Sequence, residues 1–111
     1  MLEMKVNTEY YNYFINGTKR IEIRINDEKR RSIKIGDKIR IIKNPEKDES
    51  FVAEVIGLLY YRNFSELLYD IDIELVADKE YTKERLMKVL DTFYTQEEQK
   101  EYGIVGIRLK Y

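Results

Sequence analysis

Cysteine, histidine and tryptophan are all missing from this chain. Without cysteine there is no disulfide framework and no thiolate to serve as nucleophile or metal ligand. Without histidine the commonest general base and the commonest zinc ligand are gone together. Catalysis would have to come from Lys, Asp, Glu, Tyr, Ser or Thr, and neither a metal nor a cofactor is expected. An excess of charge of one sign is missing too. Lys and Arg number 20 against 21 Asp and Glu, a formal net charge of -1. That balance excludes the basic bulk of a protein that grips long duplex DNA through its phosphates, though a local basic patch is compatible with it. Long apolar runs are also absent, so no membrane span is expected. The opening Met1-Leu2-Glu3-Met4-Lys5-Val6 lacks the continuous apolar core of a signal peptide. A cytoplasmic location follows as the expectation. At 111 residues the chain has the size of one domain, residues 1–111, large enough to bury a core without staples.

What is present is a set of alternating patterns. Ile21, Ile23 and Ile25 alternate with charges, and a strand sends alternate side chains to opposite faces. The isoleucines should therefore enter the core, with Arg20, Glu22 and Arg24 together on the other face and Lys19 at the strand entrance. A second alternating stretch runs from Ile33 to Lys43 and is entered through Gly36-Asp37. The two segments are expected to be neighbouring strands.

Around this unit, Leu2, Met4 and Val6 suggest a first strand. Thr8 can cap a helix carrying Tyr10, Tyr11, Phe14 and Ile15, which Gly17 stops. Asn26 to Ser32 has no apolar periodicity and reads as a surface loop. Asn44-Pro45-Glu46-Lys47-Asp48 reads as a turn. Phe51 to Tyr61 is a long apolar strand in which Gly57 marks a bulge or bend. Asn63 with Glu66, and Thr95 with Glu98, have capping-box spacing and open short helices. Residues 70–79 are ambiguous. Thr82 can cap a helix whose apolar stripe is Leu86, Val89, Leu90 and Phe93. Gly103 ends the last helix, and a final strand holds Val105, Ile107 and Leu109 on one face. Gly106 lies on the other, where something is expected to approach the backbone closely. Strands at both ends with helices between predict an α+β fold, a mixed sheet curled toward a small barrel.

Gly17-x-Lys19-x-x-Glu22-x-Arg24, followed by Ile35-Gly36-Asp37 and a strand, resembles the ASCH domain family. Tyr94-x-x-Glu97-Glu98-x-x-x-Tyr102-Gly103-x-Val105-Gly106-Ile107 is similar to the end of small stand-alone members. The resemblance covers nearly the whole chain and implies a PUA-like fold, a small mixed β-barrel with flanking helices. It also implies an association with RNA. Some members resemble enzymes, among them an amidohydrolase that deacetylates N4-acetylcytidine with a Lys, a Thr three residues later and a distant Glu. Lys19 matches the Lys, Glu22 replaces the Thr, and the distant acid falls within Asp78 to Glu80. A carboxylate cannot take over a hydroxyl nucleophile's acyl transfer without changing the mechanism. Little or no turnover of N4-acetylcytidine is therefore expected.

Three functions follow for comparison. The first is a module that binds RNA or a nucleotide, with a single strand or splayed base suiting it better than a duplex. Its cleft would be lined by Lys19, Arg20, Glu22 and Arg24, with Arg24 on a phosphate or base edge and Tyr94 and Tyr102 as stacking surfaces. The second is a hydrolase acting on a modified nucleoside or RNA, with Lys19 and Glu22 as acid/base groups. The third is a protein-interaction domain without a small ligand. Against all three stands a plainer account. Alternating charges usually make a solvated strand face, and tyrosines more often pack than stack on bases. Lys29-Arg30-Arg31 reads as a solvated loop that could also supply phosphate contacts beside the cleft.

Overall fold

The computed structural model describes residues 1–111. In chain order the elements are β1 (Leu2–Asn7), α1 (Thr8–Ile15), β2 (Ile21–Ile25), α2 (Glu28–Arg31), β3 (Lys38–Asn44), β4 (Ser50–Tyr61), α3 (Phe64–Asp70), α4 (Ile73–Val76), α5 (Lys83–Phe93), α6 (Gln96–Tyr102) and β5 (Ile104–Lys110). The strands form one five-stranded sheet in the order β1-β3-β4-β5-β2. β1 runs parallel to β3; the other pairs are antiparallel. The sheet curls into a small open barrel with flanking helices, the architecture expected from the sequence. No helix is long and apolar enough to cross a membrane.

The curl gives the sheet two buried faces. Inside, Met4, Val6, Ile39, Ile41, Ala53, Val55, Val105, Ile107 and Leu109 meet, and α1 contributes Tyr11 and Phe14. Outside, Ile21, Ile23, Ile25 and Ile104 pack beneath Phe64, Leu67, Leu68, Val76, Leu86 and Leu90 from α3, α4 and α5. Register explains the division. Ile23 lies opposite Gly106 and Ile25 opposite Ile104, on the helix-covered face. Glu22 lies opposite Ile107 and Arg24 opposite Val105, and so turns inward. The predicted isoleucine core is thus present, but the charged face of β2 looks into the barrel rather than into water.

Local signals explain most element ends. The side chains of Asn63, Thr82 and Thr95 each accept from a first-turn N–H, and Thr95 and Glu98 complete a reciprocal capping box. At the other predicted box, Glu66 reaches back to the N–H of Arg62 rather than of Asn63. β4 shifts register between Val55 and Gly57, the bulge expected there. A Cβ at Gly106 would stand 3.3 Å from Ile21 Cγ2, the predicted close approach.

Several expectations are corrected. β2 and β3 are not neighbours; β5 and β4 lie between them. The regular part of the second alternating stretch begins at Lys38, after a turn in which Lys34 N–H donates to Asp37. Asn7, not Thr8, caps α1, because the Thr8 hydroxyl bonds instead to Asn44 O and Glu46. Asn26 to Ser32 holds the single helical turn α2, capped by Asp27. The ambiguous residues 70–79 contain the short helix α4. Phe93 leaves the apolar stripe of α5 and is 66% exposed.

Candidate functional site

The two sheet edges, β1 and β2, do not pair with each other. They are consecutive strands joined through α1, and the curl of the sheet brings them face to face. Arg24 spans the seam: its Nη2 donates to Lys5 O of β1 at 2.7 Å and its Nε to Glu22 Oε2 at 2.8 Å. Glu22 Oε1 lies 3.3 Å from Lys19 Nζ. The motif residues therefore form a continuous chain, Lys19–Glu22–Arg24, under the seam.

Lys19 is 2% exposed and Glu22 6%. The ammonium lies 2.6 Å from Ile21 O and 2.8 Å from Val76 O, so with Glu22 its three N–H groups all have acceptors. The ring of Phe14 lies beneath it at 4.9 Å. Burial pushes the Lys19 pKa below its ordinary value, against the pull of the Glu22 carboxylate. Burial acting alone would raise the Glu22 carboxyl; the Arg24 guanidinium and then the Lys19 ammonium outweigh it and hold the pKa below the usual value. Glu22 is held as the carboxylate, and both side chains have their polar atoms occupied within the protein. Arg24 is the member that reaches outward, with its side chain 16% exposed and its Nη1 unbonded within the protein.

Above Glu22 and Arg24 lies a cleft of about 250 Å³; Lys19, expected to line it, is buried beneath and does not. One wall is the end of α5, with Val89, Leu90, Phe93 and Tyr94; the opposite rim carries Asn7 and Asn44, which face each other at the ends of β1 and β3. Tyr94 packs against Phe64 at 5.4 Å between ring centroids, and burial raises its pKa. The structure thus gathers Lys19, Glu22, Arg24 and Tyr94. It does not bring Arg20 or Tyr102 to them. Arg20 is exposed, bonds Gly17 O and stands over the Tyr111 ring. Tyr102 lies against Arg31 and lines a larger cavity of about 590 Å³ with Tyr61, Asn63 and Gln99. Volume alone would select that cavity, yet it holds none of the converging charges. Of the acids at 78–80, Asp78 accepts from Thr18 Oγ1 at 3.1 Å, and neither acid forms an ion pair with Lys19. No group of three or more acidic side chains is placed to hold a metal ion.

Sequence reasoning missed Phe93, Asn7 and Asn44. Phe93 had the spacing of a core residue, and only the end of α5 at the seam exposes it. Asn44 reads only as part of a turn, and Asn7 carries no reading at all. No local signal marks them as lining one cleft, because they meet through the parallel pairing of β1 and β3.

A model of the ASCH domain matches residues 4–110. Two solved structures resemble the whole chain. The crystal structure of hypothetical protein PH0355 is 37% identical, covers 98% of this chain and 96% of its own, and superposes with a TM-score of 0.82. The solution structure of protein PF0455 from Pyrococcus furiosus is 29% identical with the same coverage and a TM-score of 0.69. No curated protein matches significantly.

Proposed function

This chain belongs to the ASCH domain family, and from that premise we propose that the seam cleft binds one unpaired base of RNA, or the base of a nucleotide. One observation carries the reading. An exposed aromatic, Phe93, and a half-buried one, Tyr94, rim a small cleft that Arg24, its Nη1 unbonded within the protein, also lines, and whose far rim carries two side-chain amides. A base needs that combination: an apolar or aromatic surface for its face, and donors and acceptors for its edge. The cleft is too small for a duplex, and unpaired bases are the ones that can be splayed out, stacked on aromatic side chains and read on their edges.

Binding suits the buried pair better than hydrolysis does. A general base needs a free lone pair within reach of substrate. Lys19 Nζ is enclosed by Ile21 O, Val76 O and the Glu22 carboxylate, and both Glu22 oxygens are already engaged, one by Lys19 and one by Arg24. Lys19 and Glu22 then set the position of Arg24, and Arg24, Phe93 and Tyr94 make the contacts.

Phe93→Ala tests this with little risk to folding, since the side chain is largely exposed. Fluorescence anisotropy with short single-stranded RNAs should show a loss of about 1–3 kcal/mol, the scale of one base–aromatic stack. Unchanged affinity would remove the cleft as the site. Release of acetate from N4-acetylcytidine, abolished by Lys19→Ala, would replace the binding reading with the hydrolytic one.

A further inference from the structure

Beside the cleft lies a second cavity, of about 350 Å³, lined by Glu3, Met4, Lys5, Arg24, Lys29 and Arg30. It shares Lys5 and Arg24 with the first. Resting on the base-binding reading, we propose that this cavity holds the phosphate attached to the bound base, so that the ligand is a nucleotide unit rather than a bare nucleoside.

The two cavities differ in chemistry in the way a nucleotide differs along its length. The first has the apolar wall of Val89, Leu90, Phe93 and Tyr94. The second has one apolar residue, one carboxylate and four cations. Lys5 and Lys29 form no ion pair within the protein. Arg30 lends one nitrogen to Asp27 at 3.3 Å, and its buried Nε–H has no acceptor. Arg24 spends Nε and Nη2 on Glu22 and Lys5 O and keeps Nη1. Donors without acceptors, converging from β1, β2 and α2, form a receptor for an oxyanion, because charge-assisted bonds to phosphate are strong and guanidinium groups match its geometry. Arg24 stands at the junction and would serve both halves. α2 has a place in this arrangement: its single turn, capped by Asp27, carries Lys29 and Arg30 on the lining of the cavity.

Isothermal titration calorimetry with the four ribonucleosides, their 3′- and 5′-monophosphates and dinucleoside monophosphates tests the assignment. The preferred base should bind about tenfold or more tightly as its monophosphate than as its nucleoside, the scale of one charge-assisted hydrogen bond. Lys29→Gln, at an exposed position, should remove much of that advantage, and Lys29→Gln with Arg30→Gln nearly all of it. Nucleoside affinity should stay unchanged in both, and thermal melting would confirm that they fold. A dinucleoside monophosphate that binds as tightly as the mononucleotide assigns the pocket to an internal phosphodiester. A preference for the mononucleotide assigns it to a chain end or free nucleotide. Equal binding of nucleoside and nucleotide, or an advantage that survives the double substitution, overturns the inference and leaves the base site standing. Absence of binding by every probe overturns both.

Discussion

Glu22 holds the site together by being an anion that cannot leave. Its carboxylate lies between the Lys19 ammonium and the Arg24 guanidinium in a barrel wall otherwise made of Val105 and Ile107. Removing one member of a buried charge network strands the others, which costs more than the network itself contributes. Glu22→Gln should therefore destabilise the fold by about 3–5 kcal/mol at neutral pH, read by urea unfolding. The wild type carries a matching acid sensitivity. The Glu22 pKa is depressed in the folded protein, so between that value and the ordinary 4.5 the unfolded chain binds the extra proton. Stability is then full above the ordinary value and is lost as pH falls through the depressed one. The pH dependence of unfolding should flatten in Glu22→Gln. An equally steep acid limb in the variant would mean that other carboxylates carry it. Spacing alone placed Glu22 and Arg24 on one strand face, correctly. It could not reveal that this face is interior, because alternation normally marks one dry and one wet face. Arg20 shows the converse. It has the right spacing to join them, but it precedes β2, and its backbone bonds to Leu75 and Leu109 while its side chain turns to Gly17 and Tyr111.

At the scale of elements, the legible features are those set by a few neighbouring residues. The Asn63, Thr82 and Thr95 caps and the Gly57 bulge all appear where the sequence put them. Strand order was not legible, because the inward alternation of β3 and that of β5 are equally good partners for β2. Long-range pairing is decided by the whole packing arrangement, not by pattern. The single turn of α2 escaped because it has no apolar face; Asp27 before it was the one available sign. Gly106 ties local signal to packing. It lies opposite Ile23 in β2 and leaves room for Ile21, Leu59 and Leu67. Gly106→Val should overpack this contact, with the Cβ already 3.3 Å from Ile21 Cγ2, and cost about 1–3 kcal/mol. An unaltered urea midpoint would show that α3 has slack over β5.

For the whole molecule, near-neutral charge sets the character of any RNA complex. With 20 cations against 21 anions, the bulk charge does not favour following a backbone over a long path. On the proposed reading, affinity comes from a local site, the seam where Lys5, Arg24, Lys29 and Arg30 line one cavity. Counterion release makes log affinity fall with log salt by about 0.7 per phosphate neutralised on a single strand. One or two phosphates at the seam predict a slope of about -0.7 to -1.4. The expected ordering is a shallow slope for short single strands, the same slope for a longer strand, and weaker binding to duplexes of equal length. Anisotropy titrations across a salt series measure all three. A slope that steepens with strand length would mean that the chain tracks the backbone over an extended path. Tighter duplex binding would mean that shape, not a splayed base, is recognised. Either result would move the interface away from the seam, because a cleft of about 250 Å³ beside a single phosphate pocket has room for one nucleotide at a time.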